Sequence, residues 1–275
     1  MAKKNIKEMS FLDHLEELRW LLVRSTIAIL VCAVVAFFFS DFIFSEIIFG
    51  PKSPDFVTYQ FFCELGKQFD MADTMCITEI NLPIQNREMG GQFSMHMWTS
   101  ITVGFILSFP FVLWEIWKFI SPALYDNEKK YAISFIIVSS ILFFVGVLFG
   151  YYLIAPLSVQ FFASYILSPE ISNAIDIDSY VSLMKTSAIA SGLLFELPII
   201  IYFLTKIGLV NPTFLRKYRK YTLVIVLIVA AIITPPDVIS QVIVTIPIMI
   251  LYEVSILISA IVVKNQEKEK EKLKT

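Results

Sequence analysis

Residues 131–155 read YAISFIIVSSILFFVGVLFGYYLIA, without one charged side chain. A helix needs about 20 mostly apolar residues to cross roughly 30 Å of hydrocarbon, and this run exceeds that length. Working outward from it, the same pattern recurs over Leu21–Phe39, Trp98–Trp117, Met184–Thr205 and Val238–Val263. A shorter version covers Tyr221–Thr234. Its ~14 residues rise only about 20 Å, so it should thin the bilayer or sit at one side of a packed bundle. The reading is an all-α, polytopic membrane protein with six transmembrane helices. The first apolar stretch is too long for a signal-peptide core and has no small-x-small cleavage site after it, so it reads as an anchor that stays.

Composition agrees. The chain has 275 residues, 57% hydrophobic, 15% aromatic and 17% charged, with a mean hydropathy of +0.73. A soluble domain is roughly 45–50% apolar and about 25% charged, so there is more apolar surface here than one globular core hides. Intrinsic disorder is excluded for the bulk of the chain. Twenty-two bases against 24 acids, a net charge of −2, create no basic field for nucleic acid. Three cysteines cannot make a disulfide scaffold of this size.

The distribution of the bases carries more than their number. With Met1 inside, Lys and Arg gather in alternate segments: before and at the start of span one (Lys3 to Arg24), around Lys118–Lys130, from Lys206 to Lys220, and from Lys264 onward. These hold 18 of the 22; only Lys52, Lys67, Arg87 and Lys185 fall on the other side. Positive charge stays inside, so both termini are expected to be cytoplasmic, which requires an even number of spans. The organisation that follows is one membrane domain over 1–263, with an external loop 41–97, and a charged, solvated cytoplasmic tail over 264–275. No internal repeat supports an inverted-repeat transporter.

Several carboxylates stand out against this pattern. Ser10 and Asp13 resemble a capping box, so a helix is expected from Phe11, with Phe11, Leu15, Leu18 and Leu22 on one face. Asp13 and Glu17 lie on another face with Glu16 further round, an acidic patch suited to a cationic ligand and equally to a solvated interfacial helix. The loop KFISPALYDNEKK (Lys118–Lys130) adds Glu128 beside two lysines, where by itself it reads as a surface charge. Glu196 sits near the middle of the fourth span, where insertion scales charge about 2.5–3.5 kcal/mol for such a group. Pro198 is expected to kink the same helix. Glu253 and Glu115 are weaker versions, and Glu115 is expected to reach the interface. Cys63 and Cys76 share the external loop; on an oxidising side they could close about 14 residues, worth roughly 3 kcal/mol. Cys32 reads as a small buried filler. His14 and His96 fall on opposite sides of the membrane, so no metal site is expected. No phosphate loop, nucleophile–base set or catalytic motif appears, so neither an enzyme nor a cofactor is expected.

Five stretches, in order, resemble the TatC family, the multi-spanning receptor of the twin-arginine translocation system. They are FLDHLEELR (Phe11–Arg19), FISPALYDNEKK (Phe119–Lys130), FELP (Phe195–Pro198), TPPDVISQ (Thr234–Gln241) and IPIMILYE (Ile246–Glu253). The resemblance covers nearly the whole chain. It implies that Glu17 and Glu128 form a cytoplasmic site for the twin arginines of signal peptides on folded precursor proteins. Arg19, Phe119, Pro122 and Tyr125 match positions that shape that surface. Glu196 matches a polar residue of the concave membrane face. Pro235, Asp237 and Gln241 match positions implicated in contacts with TatA/TatB-type single-span subunits. The family works as a homo-oligomer within a receptor complex in the bacterial inner membrane, driven by the proton-motive force. Two features depart from it: the first external loop is longer and carries the cysteine pair, and Glu16 places a second carboxylate beside Glu17. The competing reading is a proton-coupled secondary transporter using Glu196 as its protonatable group.

Overall fold

The computed structural model describes residues 11–68, 76, 80, 82–121, 132–168, 170 and 174–272. The α-helices of six or more residues are α1 (Phe11–Phe38), α2 (Val57–Gln68), α3 (Gly91–Ile120), α4 (Ala132–Phe149), α5 (Ala155–Ser164), α6 (Ile177–Phe195), α7 (Leu197–Lys206), α8 (Pro212–Lys217), α9 (Arg219–Ile233) and α10 (Val238–Lys272). Five stretches are long and apolar enough to cross a membrane: His14–Phe38, Gly91–Ile120, Ile133–Ser164, Ile177–Lys206 and Val238–Lys268. Helix α9, with 15 residues, falls short of that length. The helices overrun the apolar runs read from the sequence, because backbone hydrogen bonding continues into polar flanks. Thus α10 does not unwind at Lys264; Gln266 donates its amide to the carbonyl of Lys206 at 2.9 Å.

The described residues form two compact units, one up to Ile47 with Asn86–Ile141 and one of Ile48–Gln85 with Leu142 onward. In the first, α1 and α3 run antiparallel: Arg24 meets Glu115, Ala33 meets Gly104, and Phe37 stacks on His96 at 3.9 Å. A Cβ on Gly104 would lie 2.6 Å from the Ala33 nitrogen and 2.7 Å from the Ile29 carbonyl oxygen. Only a residue without a side chain lets the two backbones approach so closely. The face α1 buries is Ser25, Ala33 and Ala36, whereas Leu15, Leu18, Leu22, Val31 and Val34 are exposed. The apolar stripe of Leu15, Leu18 and Leu22 therefore faces out, away from α3. Lipid tails are as apolar as leucine, so helices associate through small residues and polar contacts.

The second unit follows the same rule. Gly146 lies against the backbone of Ser191 and Gly192, and Ser158, Ser255 and Ser259 are fully buried. Helix α4 continues into α5 through a π-helical turn at Gly150–Ile154. Helices α9 and α10 pack through Val226, Ala230, Val244 and Ile248, and Ile201, Leu215, Tyr252 and Ile256 form a second cluster. Helix ends are set by local chemistry: Asn211 caps α8 by accepting from the Phe214 amide at 2.7 Å, and Gly208, at φ 78°, closes the end of α7.

The loop before α3 carries structure of its own. Cys63 of α2 is joined to Cys76 by a disulfide. Two-residue strands β1 (Ile84–Gln85) and β2 (Ile175–Asp176) pair in parallel, Ile84 opposite Ile175. The Tyr59 hydroxyl is shared between the carbonyls of Pro51 and Pro156 at 2.9 and 3.0 Å. Burial, with Tyr180 nearby, pushes its pKa far above the ordinary value, so it stays a donor.

The contact at Gly104 makes a direct prediction. Gly104→Leu should lower stability in detergent by roughly 1–3 kcal/mol, as overpacking does, read from thermal unfolding. Gly90→Ala, where nothing lies within 4 Å, should stay within about 0.5 kcal/mol of the parent.

Candidate functional site

The antiparallel α1–α3 pair brings the first turns of α1 to the last turn of α3. There Glu17, Trp20, Leu21, Arg24, Glu115, Lys118 and Phe119 line a cavity of about 260 Å3. The helical period decides which carboxylate takes part. Glu17 lines the cavity and is half-buried, while Glu16 points away and is exposed. Phe119 forms part of the wall and stacks on His14, ring centroids 4.3 Å apart. Arg19 is exposed on α1 and outside the lining. Pro122, Tyr125 and Glu128 lie outside the described residues.

Glu115 is the residue the sequence reading missed. It was expected to reach the interface, yet it is 3% exposed. Arg24 Nη1 lies 3.3 Å from Oε2, and Lys118 Nζ 2.6 Å from Oε1. A buried carboxylate survives only with its charge compensated and its lone pairs used. The signal was present in outline, since Lys118 follows at i+3; Arg24 is distant in sequence and comes only with the fold. Arg24 also heads an apolar groove with Ile27, Ala28, Val31, Cys32, Leu107, Ser108 and Phe111. Cys32 is partly exposed there, not buried as expected.

A second set of residues belongs to the other unit. Glu196 is 7% exposed and stands at the break between α6 and α7, where its carbonyl accepts from the amides of Ile199 and Ile200 at 3.0 Å. Pro198, in the first turn of α7, accompanies that break, since it has no amide to donate to the preceding turn. Pro235 is buried. Asp237 caps α10, accepting from the Ser240 amide at 2.8 Å and the Ser240 hydroxyl at 2.9 Å. Gln241 donates to the Leu227 carbonyl at 2.8 Å, tying α10 to α9. Glu253 is not an intramembrane charge in isolation; it is half-exposed and paired with Arg219 at 2.6 Å. Among the described residues, no three His, Cys, Asp or Glu side chains gather as a metal site requires.

The comparisons with known proteins fit this arrangement. The family model for Sec-independent protein translocase protein (TatC) matches residues 13–247. A TatC of Blattabacterium sp. subsp. Periplaneta americana is 43% identical, covering 96% of this chain and all of that one. TatCy of Bacillus subtilis is 34% identical, covering 98% of this chain and 95% of its own length. A crystal structure of the twin-arginine translocase receptor TatC superposes with a TM-score of 0.68 at 32% identity, covering 91% of this chain and 99% of that one. The fold and these relatives define a multi-pass membrane component of a protein translocase, a class that performs no enzymatic reaction. The chain belongs to the TatC family.

The cap at Asp237 has a pH signature. The Ser240 amide holds its carboxyl below the usual range; partial burial opposes this, and the Ser240 hydroxyl and Ile239 amide reinforce it. A depressed folded-state pKa means stabilisation present above the unfolded value of about 3.9 and lost as pH falls through the folded value. Asp237→Ala should lose about 1 kcal/mol at neutral pH, and the gap to the parent should close below about pH 4. Asp237→Asn keeps an acceptor, so it should retain most of the cap without the pH dependence. Thermal midpoints across pH in detergent check all three.

Proposed function

We propose that this chain is the signal receptor and core of a twin-arginine translocase. It binds the twin-arginine signal peptides of folded precursor proteins and assembles with TatA/TatB-type single-span subunits, as a homo-oligomer within the receptor complex, in the bacterial inner membrane. Transport is driven by the proton-motive force. The observation that carries this reading is the cavity between α1 and α3, in which the half-buried Glu17 stands beside Phe119 and the buried Glu115. Guanidinium is the cation suited to such a place, because it is weakly hydrated and engages carboxylates through a planar fork. In this proposal Glu17 and Glu128 are the arginine ligands, and Arg19, Phe119, Pro122 and Tyr125 shape the surface around them.

For the partner subunits, the proposal assigns Glu196 at the α6–α7 break and Pro235, Asp237 and Gln241 at the α9–α10 turn. Each is held in place by packing or hydrogen bonds within the chain, which suits a preformed docking face. The proton-coupled transporter using Glu196 is not adopted: the curated relatives are protein translocases, and no internal repeat favours it.

Binding of a labelled twin-arginine signal peptide to the protein in detergent tests the site. Glu17→Ala and Glu128→Ala should each weaken binding at least about tenfold, the scale of losing a charge-assisted contact. The parent affinity should also fall with salt. Undiminished binding by both variants sinks the assignment.

We further propose six spans with both termini cytoplasmic and one membrane domain over 1–263 followed by the tail 264–275; the inward bias of Lys and Arg supports this. In a Cys32→Ser background, a membrane-impermeant thiol reagent should label Glu88→Cys in intact cells and label Lys272→Cys only after permeabilisation. The opposite pattern would overturn the orientation.

A further inference from the structure

Glu115 holds two cations that are not equivalent. Arg24 comes from α1, so its contact at 3.3 Å links two helices. Lys118 lies three residues along from Glu115 on α3 itself, and its contact at 2.6 Å links nothing that the helix does not already link. Its side chain is half-exposed, and Nζ also sits 5.5 Å over the ring of Trp114. Both residues line the cavity that Glu17 lines. The structure therefore presents a buried carboxylate whose second charge partner is tethered at the edge of solvent, inside the space assigned to an incoming guanidinium.

We propose that Lys118 is a resident stand-in for the ligand's arginine: a guanidinium entering the cavity takes the place of the Lys118 ammonium on Glu115, and Lys118 swings out into solvent. The inference rests on the signal-peptide reading of the Glu17 site and adds Glu115 as a second buried carboxylate of that site. The exchange is cation for cation, so Glu115 is never left buried and uncompensated. Its direction follows from hydration and shape. An ammonium is a strongly hydrated point charge that gains by returning to water, whereas a guanidinium is weakly hydrated and can span two carboxylates with its five donors. Arg24 keeps its place throughout and holds α1 against α3, so the site does not come apart when Lys118 leaves. An empty receptor thereby keeps its buried charge neutralised without closing the cavity.

The test is equilibrium binding of a labelled twin-arginine signal peptide to the full chain in detergent at low salt, with size-exclusion profile and thermal midpoint recorded for each variant. Removing the competitor in Lys118→Met should tighten binding about fivefold, the scale of one partly exposed ion pair. Lys118→Arg, a better resident cation, should weaken it. Glu115→Gln should weaken binding at least about tenfold, and Lys118→Met should have no further effect in that background. Unchanged or weaker binding by Lys118→Met overturns the exchange. So does tightening that persists in full when Glu115 is already Gln, because Lys118 would then act only through its long-range field. Glu17→Gln in the same assay separates the two levels. If it binds as the parent does, or if the parent binds no peptide, the site reading itself fails. If it loses binding while Lys118→Met does not tighten, only the exchange fails.

Discussion

Helices α1 and α3 meet backbone to backbone at Gly104, where an added Cβ would fall 2.6 Å from the Ala33 nitrogen, and the first unit depends on that approach. In water a pair of helices is driven together by burying leucines. In lipid that drive is absent, because a leucine side chain is as well solvated by acyl chains as by another helix. Association then rests on close van der Waals contact and polar pairing, and both need small residues at the seam. Ser25, Ala33 and Ala36 are the buried positions of α1, while Val31, Val34 and Val35 face outward. With the register set at Gly104, the antiparallel run carries Arg24 to Glu115 and Glu17 to the cavity beside Phe119.

Charge placement follows from the same solvent. A carboxylate at 3% exposure would be costly unless compensated, and Glu115 is compensated twice. Its two partners come from different distances in the chain and so do different things, one joining helices and one occupying a site. In the second unit interhelical hydrogen bonds stand beside the Arg219–Glu253 pair: Thr205 donates to Ser259 at 2.8 Å and Gln241 to Leu227. The polar residues that looked exceptional in a hydropathy reading are the ones that hold the helices in register.

Much of this was legible in advance. Apolar runs located every helix of membrane length, and the short run over Tyr221–Thr234 foretold the shorter apolar helix Arg219–Ile233, whereas the helix Val57–Gln68 in the external loop was not foreseen. The order of motifs from Phe11 to Glu253 led to the family that the comparisons show. Helix ends were less legible, because hydropathy marks where a chain is apolar, not where its backbone hydrogen bonds stop. Glu115 was misjudged for a related reason. Its depth along α3 was readable, but whether it faced solvent depended on which side of α3 met α1. For the apolar face of α1, helical spacing tells which residues share the face and not what it touches; Leu15, Leu18 and Leu22 turn out to be exposed.

What the sequence by itself determined is the solvent of this protein, the place of its membrane-length apolar helices, and its family, since these depend on local composition and on residues adjacent in the chain. What only the tertiary structure decided is the pairing of groups far apart in sequence. Arg24 on Glu115, Glu17 rather than Glu16 in the cavity, and Tyr59 on Pro156 are of this kind. Each depends on the rotation and register of one helix against another element, and in a membrane those are set by where small residues let backbones touch, not by a hydrophobic pattern that a sequence displays.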